Sequence, residues 1–231
     1  MFGFRFARAA VLSLIAVSSL AFSFSLDDLS ERDAGVGLRA ALNKGAETAV
    51  NQLGAENGFL SNEQVKIHLP SILEKARPLL QLAGKGPQLD ELEVSMNHAA
   101  ETAVPMAKTM LVAAVKSMSI EDAKKILTGG ETSVTDFFRD KTRDALYVKF
   151  LPTVKKVTDR VGLARRYDDV MDKAERFGHV PDDQKTVEAY VTQRTLDGLY
   201  KMIGEEEKEI RRDPLGSGSK AIEKVFSLLK S

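Results

Sequence analysis

From Leu38 onward the apolar residues of this chain return every three or four positions, and only once do they alternate. Leu38, Leu42, Ala46, Ala49 and Leu53 fall on one helical stripe that Gly54 ends. Leu89, Leu92, Met96, Ala99, Ala103, Met106 and Met110 repeat the spacing, in a stripe so rich in alanine that a neighbouring helix can approach closely. Side chains three and four apart share a face of an α-helix, whereas a strand needs a period of two. The alternating run, Val65, Ile67 and Leu69 in "VKIHLP", has no partner run with which to build a sheet and reads as an extended connector. The expected fold class is all-α: a single bundle of about six to eight helices with no sheet. Proline should bend its helices near Pro78, Pro105 and Pro152.

Packing of those stripes has to hold the fold unaided. The chain contains no cysteine, so no disulfide can staple it. That matters because its first residues read as an export signal. Arg5 and Arg8 with the free amine form a positive start, Ala9 to Phe22 an apolar core, and Ala21 and Ser23 a small-residue cleavage pattern. The apolar run is short of the ~20 residues that a bilayer span needs, and serines interrupt it. Residues 1–25 are thus expected to be a signal peptide cut after Ser23 or Ser25, leaving a periplasmic protein with no remaining membrane span. No cysteine stands at the cleavage region, so the processed chain is not expected to be a lipoprotein. Residues 26–214 are expected to be the helical domain, and 215–231 a Gly/Ser linker with a last amphipathic helix. Arg5 and Arg8 belong to the leader, which leaves 31 basic against 33 acidic side chains. That balance argues against nucleic acid as a partner.

The run "SMSIEDAKKILTGGETSVTDFFRDKT" concentrates helix-start residues and glycine. Ser119 with Asp122 matches a capping box, and Ser133 with Asp136 repeats the pattern. Gly129 is expected as the left-handed residue that ends the intervening helix. The alternative is an anion site on the free N–H groups around Gly129, Gly130, Thr132 and Ser133. No lysine follows in phosphate-loop spacing, which weakens that alternative. Further on, Asp182 or Asp183 should cap a long helix that reaches about Arg212.

The chemistry-bearing residues form no catalytic motif. None of His68, His98 and His179 is preceded three residues earlier by glutamate, so the di-iron helix pattern is missing. No G-x-S-x-G turn is present. No cofactor is expected, and the chain is not expected to be an enzyme. Polar residues inside the apolar stripes are the remaining site candidates: Asn97, Glu101, Arg139, Arg143, Tyr167, Tyr190 and Asp197. They could fix helix register by hydrogen bonds, or form the polar floor of a ligand cavity. Lys149, Lys155, Lys156, Arg160, Arg165 and Arg166 make a basic run that suits a solvated face or an anionic surface.

Four stretches together resemble a known bacterial family: "GFLSNEQVKIHLP", "MNHAAETAVPMAK", "MSIEDAKKILTGGETSVTDFFRDKT" and "YVTQRTLDGLYKMIGEEEKEIRRDP". The resemblance is to the family catalogued as domain of unknown function 4197, exported helical proteins of which many are lipoproteins. It implies a helical exported fold and brings no activity, cofactor or catalytic residue. His68 departs from the family's proline at its place. The leading expectation is a non-enzymatic binding or interaction module, its partner another envelope protein or a lipid-like ligand. The alternatives are a carrier of a small amphipathic ligand, for which Met96, Met106, Met110, Met171 and Met202 offer adaptable lining, and a hydrolase with a spatially assembled site.

Overall fold

A computed structural model describes residues 31–175 and 181–213. The expected leader, the tail from 214, and Gly178 and His179 lie outside the described residues. The described chain forms eight α-helices and two short 3₁₀ turns, with no strand among the described residues. Helix α1 spans Glu31–Leu53, α2 Ser71–Leu82, α3 Gly86–Ala103, α4 Lys108–Lys116 and α5 Ile120–Thr128. Helix α6 spans Ser133–Thr158, α7 Gly162–Glu175 and α8 Val187–Arg212. The all-α expectation holds.

Three long helices make the frame. Helix α6 runs antiparallel to α3, since Met106 meets Thr153 (3.4 Å) while Asp90 and Glu91 line a groove with Arg160 and Val161. It also runs antiparallel to α8, which Ser133–Glu207, Thr142–Tyr200 and Lys155–Glu188 contacts mark from end to end. Helix α1 closes against α8, where Gly45 faces Ile210. The predicted α1 stripe is buried throughout, from Leu38 at 0 % exposure to Leu53 at 0 %. One contiguous apolar cluster joins all of these helices.

Pro105 does more than bend its helix. Residues Val104–Ala107 tighten into a 3₁₀ turn between α3 and α4. Three residues per turn instead of 3.6 rotates α4 relative to α3. Met106 and Met110, expected on the buried stripe, are only half-buried, and Val104, Ala107 and Leu111 take their place at 0 % exposure. Pro78 and Pro152 stay inside α2 and α6 without ending them.

Three expected caps are corrected. The Ser119–Asp122 box is present, with the serine accepting from Asp122 N–H (3.0 Å) and the carboxylate from Ser119 N–H (3.1 Å). Gly129, however, is extended at φ −80°, ψ 170°, not left-handed. Glycine suits this place because a Cβ would stand 2.6 Å from Lys125 O and 2.7 Å from Ser133 Cβ. Ser133 and Asp136 form no capping box: Ser133 is already inside α6 and Asp136 pairs with Arg139 (3.2 Å). Neither Asp182 nor Asp183 caps α8; Thr186 does, accepting from Ala189 N–H (3.2 Å).

The connector 65–70 is extended, as its alternation predicts, and α2 begins after Pro70 as its N-cap. Phe59, in the loop before it, is fully buried. Its ring passes so close to α8 that a Cβ at Gly198 would lie 2.8 Å from Phe59 Cε1. Helix α2 then leans on α3 as an outlying hairpin, turned by Gly84 at φ +71°. None of its residues is buried.

Candidate functional site

The polar candidates separate into distinct joints, each between two elements. Asn97 is completely buried and clasps the extended connector on both sides. It accepts from Ile67 N–H (2.9 Å) and donates to Ile67 O (2.9 Å), as a neighbouring strand would. Glu101, one turn on, accepts from Phe59 N–H (3.0 Å) and Leu60 N–H (3.1 Å) with one oxygen. Its other oxygen meets His98 Nδ1 at 2.8 Å. These two residues hold the loop 54–70 against α3, the role that register-fixing side chains play.

The remaining candidates lie elsewhere. Arg143 does meet Asp197, at 3.0 Å between α6 and α8. Arg139 is exposed, bonded to Asp136, and lies over the Tyr200 ring at 5.6 Å. Tyr167 donates to Gln184 O (2.8 Å), and burial with Asp168 nearby pushes its phenol up to about 12. Tyr190 donates to His68 O (3.2 Å). None of them lines the clefts beside Glu207 and Asn43 or the groove between α3 and α6, and the bonds they make fit the register-fixing reading.

The start of α6, beside the anion site weighed as an alternative, is already filled by the protein itself. At the start of α6, Val134 N–H (3.2 Å) and Thr135 N–H (3.3 Å) donate to Glu207 of α8. Arg211 bonds the same carboxylate at 2.9 Å, and also Ser133 Oγ (2.9 Å) and Ile126 O (3.1 Å). The Glu207 side chain is 1 % exposed. Burial raises its carboxyl above the usual range, against the pull of Arg211 and the two amides. Gly130 and Thr132 take no part, and Thr132 is exposed. The sequence pattern pointed to the right stretch of chain, but the amide donors are Val134 and Thr135 rather than residues 129–133, and the acceptor lies more than seventy residues away on another helix.

Three open or narrow spaces are relevant to ligands. Clefts of about 10 Å³ beside Glu207 and about 40 Å³ beside Asn43 hold no more than a water or two. A wide groove of about 460 Å³ opens between α3 and the end of α6, with Val94, Val157 and Val161 as floor and Glu91, His98 and Arg160 on its rim. Ser95 lies one turn before His98 along this groove, but no hydrogen bond joins them among the described residues.

The outward face of α2 is the most exposed apolar surface on these elements. Ile72, Leu79 and Leu82 are 44 %, 72 % and 87 % exposed, while Leu73 and Leu80 on the opposite side pack toward the core. Two full turns and more separate Ile72 from Leu82, so the three side chains form a strip along one side of the helix. Contiguous apolar surface of this kind marks an interaction site more often than an isolated exposed leucine does. Among the described residues no group of histidine and carboxylates is spaced to hold a metal ion, and no single helix is long and apolar enough to cross a membrane.

No curated protein and no solved structure matches the chain. A family model described as "Protein of unknown function (DUF4197)" matches residues 28–227, past Pro214 and the end of α8. With so much of its length covered, the chain belongs to the DUF4197 family.

Proposed function

We propose that the protein is an exported, non-enzymatic interaction module that works in the periplasm by docking a surface against a partner. The observation that carries this reading is the bare outward face of α2, with Leu79 and Leu82 at 72 % and 87 % exposure on a helix that buries nothing of its own. A soluble helix normally turns such residues inward. The polar residues that could serve catalysis are taken up in joints between helices: Asn97 and Glu101 with the loop 54–70, Glu207 with the start of α6. Export rests on Arg5, Arg8, the apolar run to Phe22 and the small residues at Ala21 and Ser23.

A photo-crosslinking residue at position 82, compared with one at the exposed Ile120 on α5, tests the docking. Adducts concentrated at position 82 support the module, and equal or absent labelling at both sites overturns it. The groove of about 460 Å³ with its valine floor favours a second reading, a carrier. One lipid-sized ligand retained per chain in native mass spectrometry would install the carrier in its place. N-terminal sequencing of the periplasmic fraction, expected to begin at Phe24 or Leu26, checks the export.

A further inference from the structure

We infer that helix α2 is a hinged strap, which lifts off α3 about Pro70 and Gly84 when the ion-pair clasp of Arg77 lets go. The inference goes beyond the docking reading and holds whatever the outer strip meets. The chain on either side of the strap is fixed. Ile67 is clasped by Asn97, His68 O accepts from Tyr190 (3.2 Å), and Leu69 and Pro70 are buried. Beyond the Gly84 turn, Leu89 anchors α3 at 0 % exposure. Between these anchors no residue of α2 is buried. Pro70 as N-cap has no side-chain bond to the first-turn amides, and Pro78 has no N–H to give Glu74 O. Gly84 holds φ at +71°, and a Cβ there would meet nothing within 4 Å.

Arg77 makes the only side-chain hydrogen bonds from α2 to another helix among the described residues, to Asp90 (3.1 Å) and Glu93 (3.5 Å) of α3. Leu73 and Leu80, half-buried, add the apolar contact. Opening strands no charge. Arg77 keeps Glu74 of its own helix, through Nε and Nη2 at 3.0 Å each. Glu93 keeps Lys66 of the connector (3.4 Å), and Asp90 is already exposed to water. Breaking an ion pair is costly when a buried charge is left alone, and here each member has a second partner or solvent. Few contacts have to break, which places this helix at the low-energy end of local opening. A strap that lifts shows both apolar sides of α2, the inner Leu73 and Leu80 together with the outer Leu79 and Leu82.

The chain has no cysteine, so a single Leu80→Cys reports when the inner side of α2 is open. With a soluble thiol reagent it should react about tenfold or more faster than Val115→Cys, which is buried in α4. Adding Arg77→Gln should speed the Leu80→Cys reaction about threefold or more, the scale of a part-exposed ion pair. Raising salt from ~50 mM to ~1 M should do the same while Arg77 is present and add little once it is gone. Val115→Cys should respond to neither change. Equal protection of positions 80 and 115 overturns the strap. A Leu80→Cys rate that fails to rise with Arg77→Gln, or with salt, overturns the clasp on which the inference rests. A rise at both positions together, with a lower urea midpoint, shows opening of the whole fold and overturns it as well. No partner is present in these measurements, so the docking reading stands or falls separately at position 82.

Discussion

Glu207 shows how much one side chain can settle. Its carboxylate caps α6, pairs with Arg211 and is shut away from solvent by α1 and α8. Removing one member of a buried pair leaves the other charge uncompensated, at a cost of about 3 kcal/mol. Glu207→Ala should therefore lose about that much in chemical denaturation, more than the usual effect of losing a helix cap. It should also open the α6 start to small anions, because the amides of Val134 and Thr135 and the Arg211 guanidinium remain. Sulfate is expected to raise the midpoint of the variant well beyond its effect on the wild type. An equal response of both proteins would show that the carboxylate does not occupy an anion site. The sequence run around Gly129 marked the neighbourhood of the α6 start but not its donors, Val134 and Thr135. Nothing local could announce Glu207, since its contact exists only once α8 lies antiparallel to α6.

At the scale of elements, the joint between α7 and α8 is the one most responsive to pH. Asp168 on α7 accepts from Val187 N–H (2.8 Å) at the start of α8. Burial raises its carboxyl from 3.8 to about 6, against that hydrogen bond, which favours the charged form. A raised acid binds its proton more tightly when folded than when unfolded. Its contribution to stability is thus fully present below about pH 4 and is lost as pH rises through about 6. Asp168→Asn, which mimics the protonated form in charge, removes the dependence. The stability of the wild type relative to this variant should fall between pH 4 and pH 7, and a flat difference would refute the shift. Element by element, the apolar spacing told most of what the fold contains: α1 and α3 follow their stripes, and the lone alternating run is an extended connector clasped by Asn97. Helix ends were less legible. Gly129, Ser133 and Asp182 carry turn and cap chemistry that several local geometries can use, and tertiary neighbours chose among them.

Taken whole, the molecule separates the residues that hold it together from those it shows to the outside. The buried joints Asn97–Ile67, Glu101–Phe59 and Glu207–Val134 are remote from the outer strip of α2 in their partners and in their burial. Leu79→Ser/Leu82→Ser should accordingly leave the unfolding free energy within about 0.5 kcal/mol of wild type, as exposed substitutions do. A large loss of stability would mean that the strip is covered by the protein itself. This surface is where sequence reasoning fell short, since the α2 pattern alone does not tell which of its two apolar sides faces in.

The 3₁₀ turn at Pro105 makes length a stricter requirement than identity in the middle of the chain. It hands one continuous spiral from the α6 neighbour to the α1 neighbour by a fixed rotation, and a single extra residue would throw one of the two alignments out of phase. Alanine inserted after Ala100 should therefore prevent cooperative folding, read as loss of a sharp thermal transition, whereas the same insertion after Gly84, in the hairpin turn, should be absorbed. Relatives that keep this architecture are expected to vary their letters here freely and their spacing hardly at all.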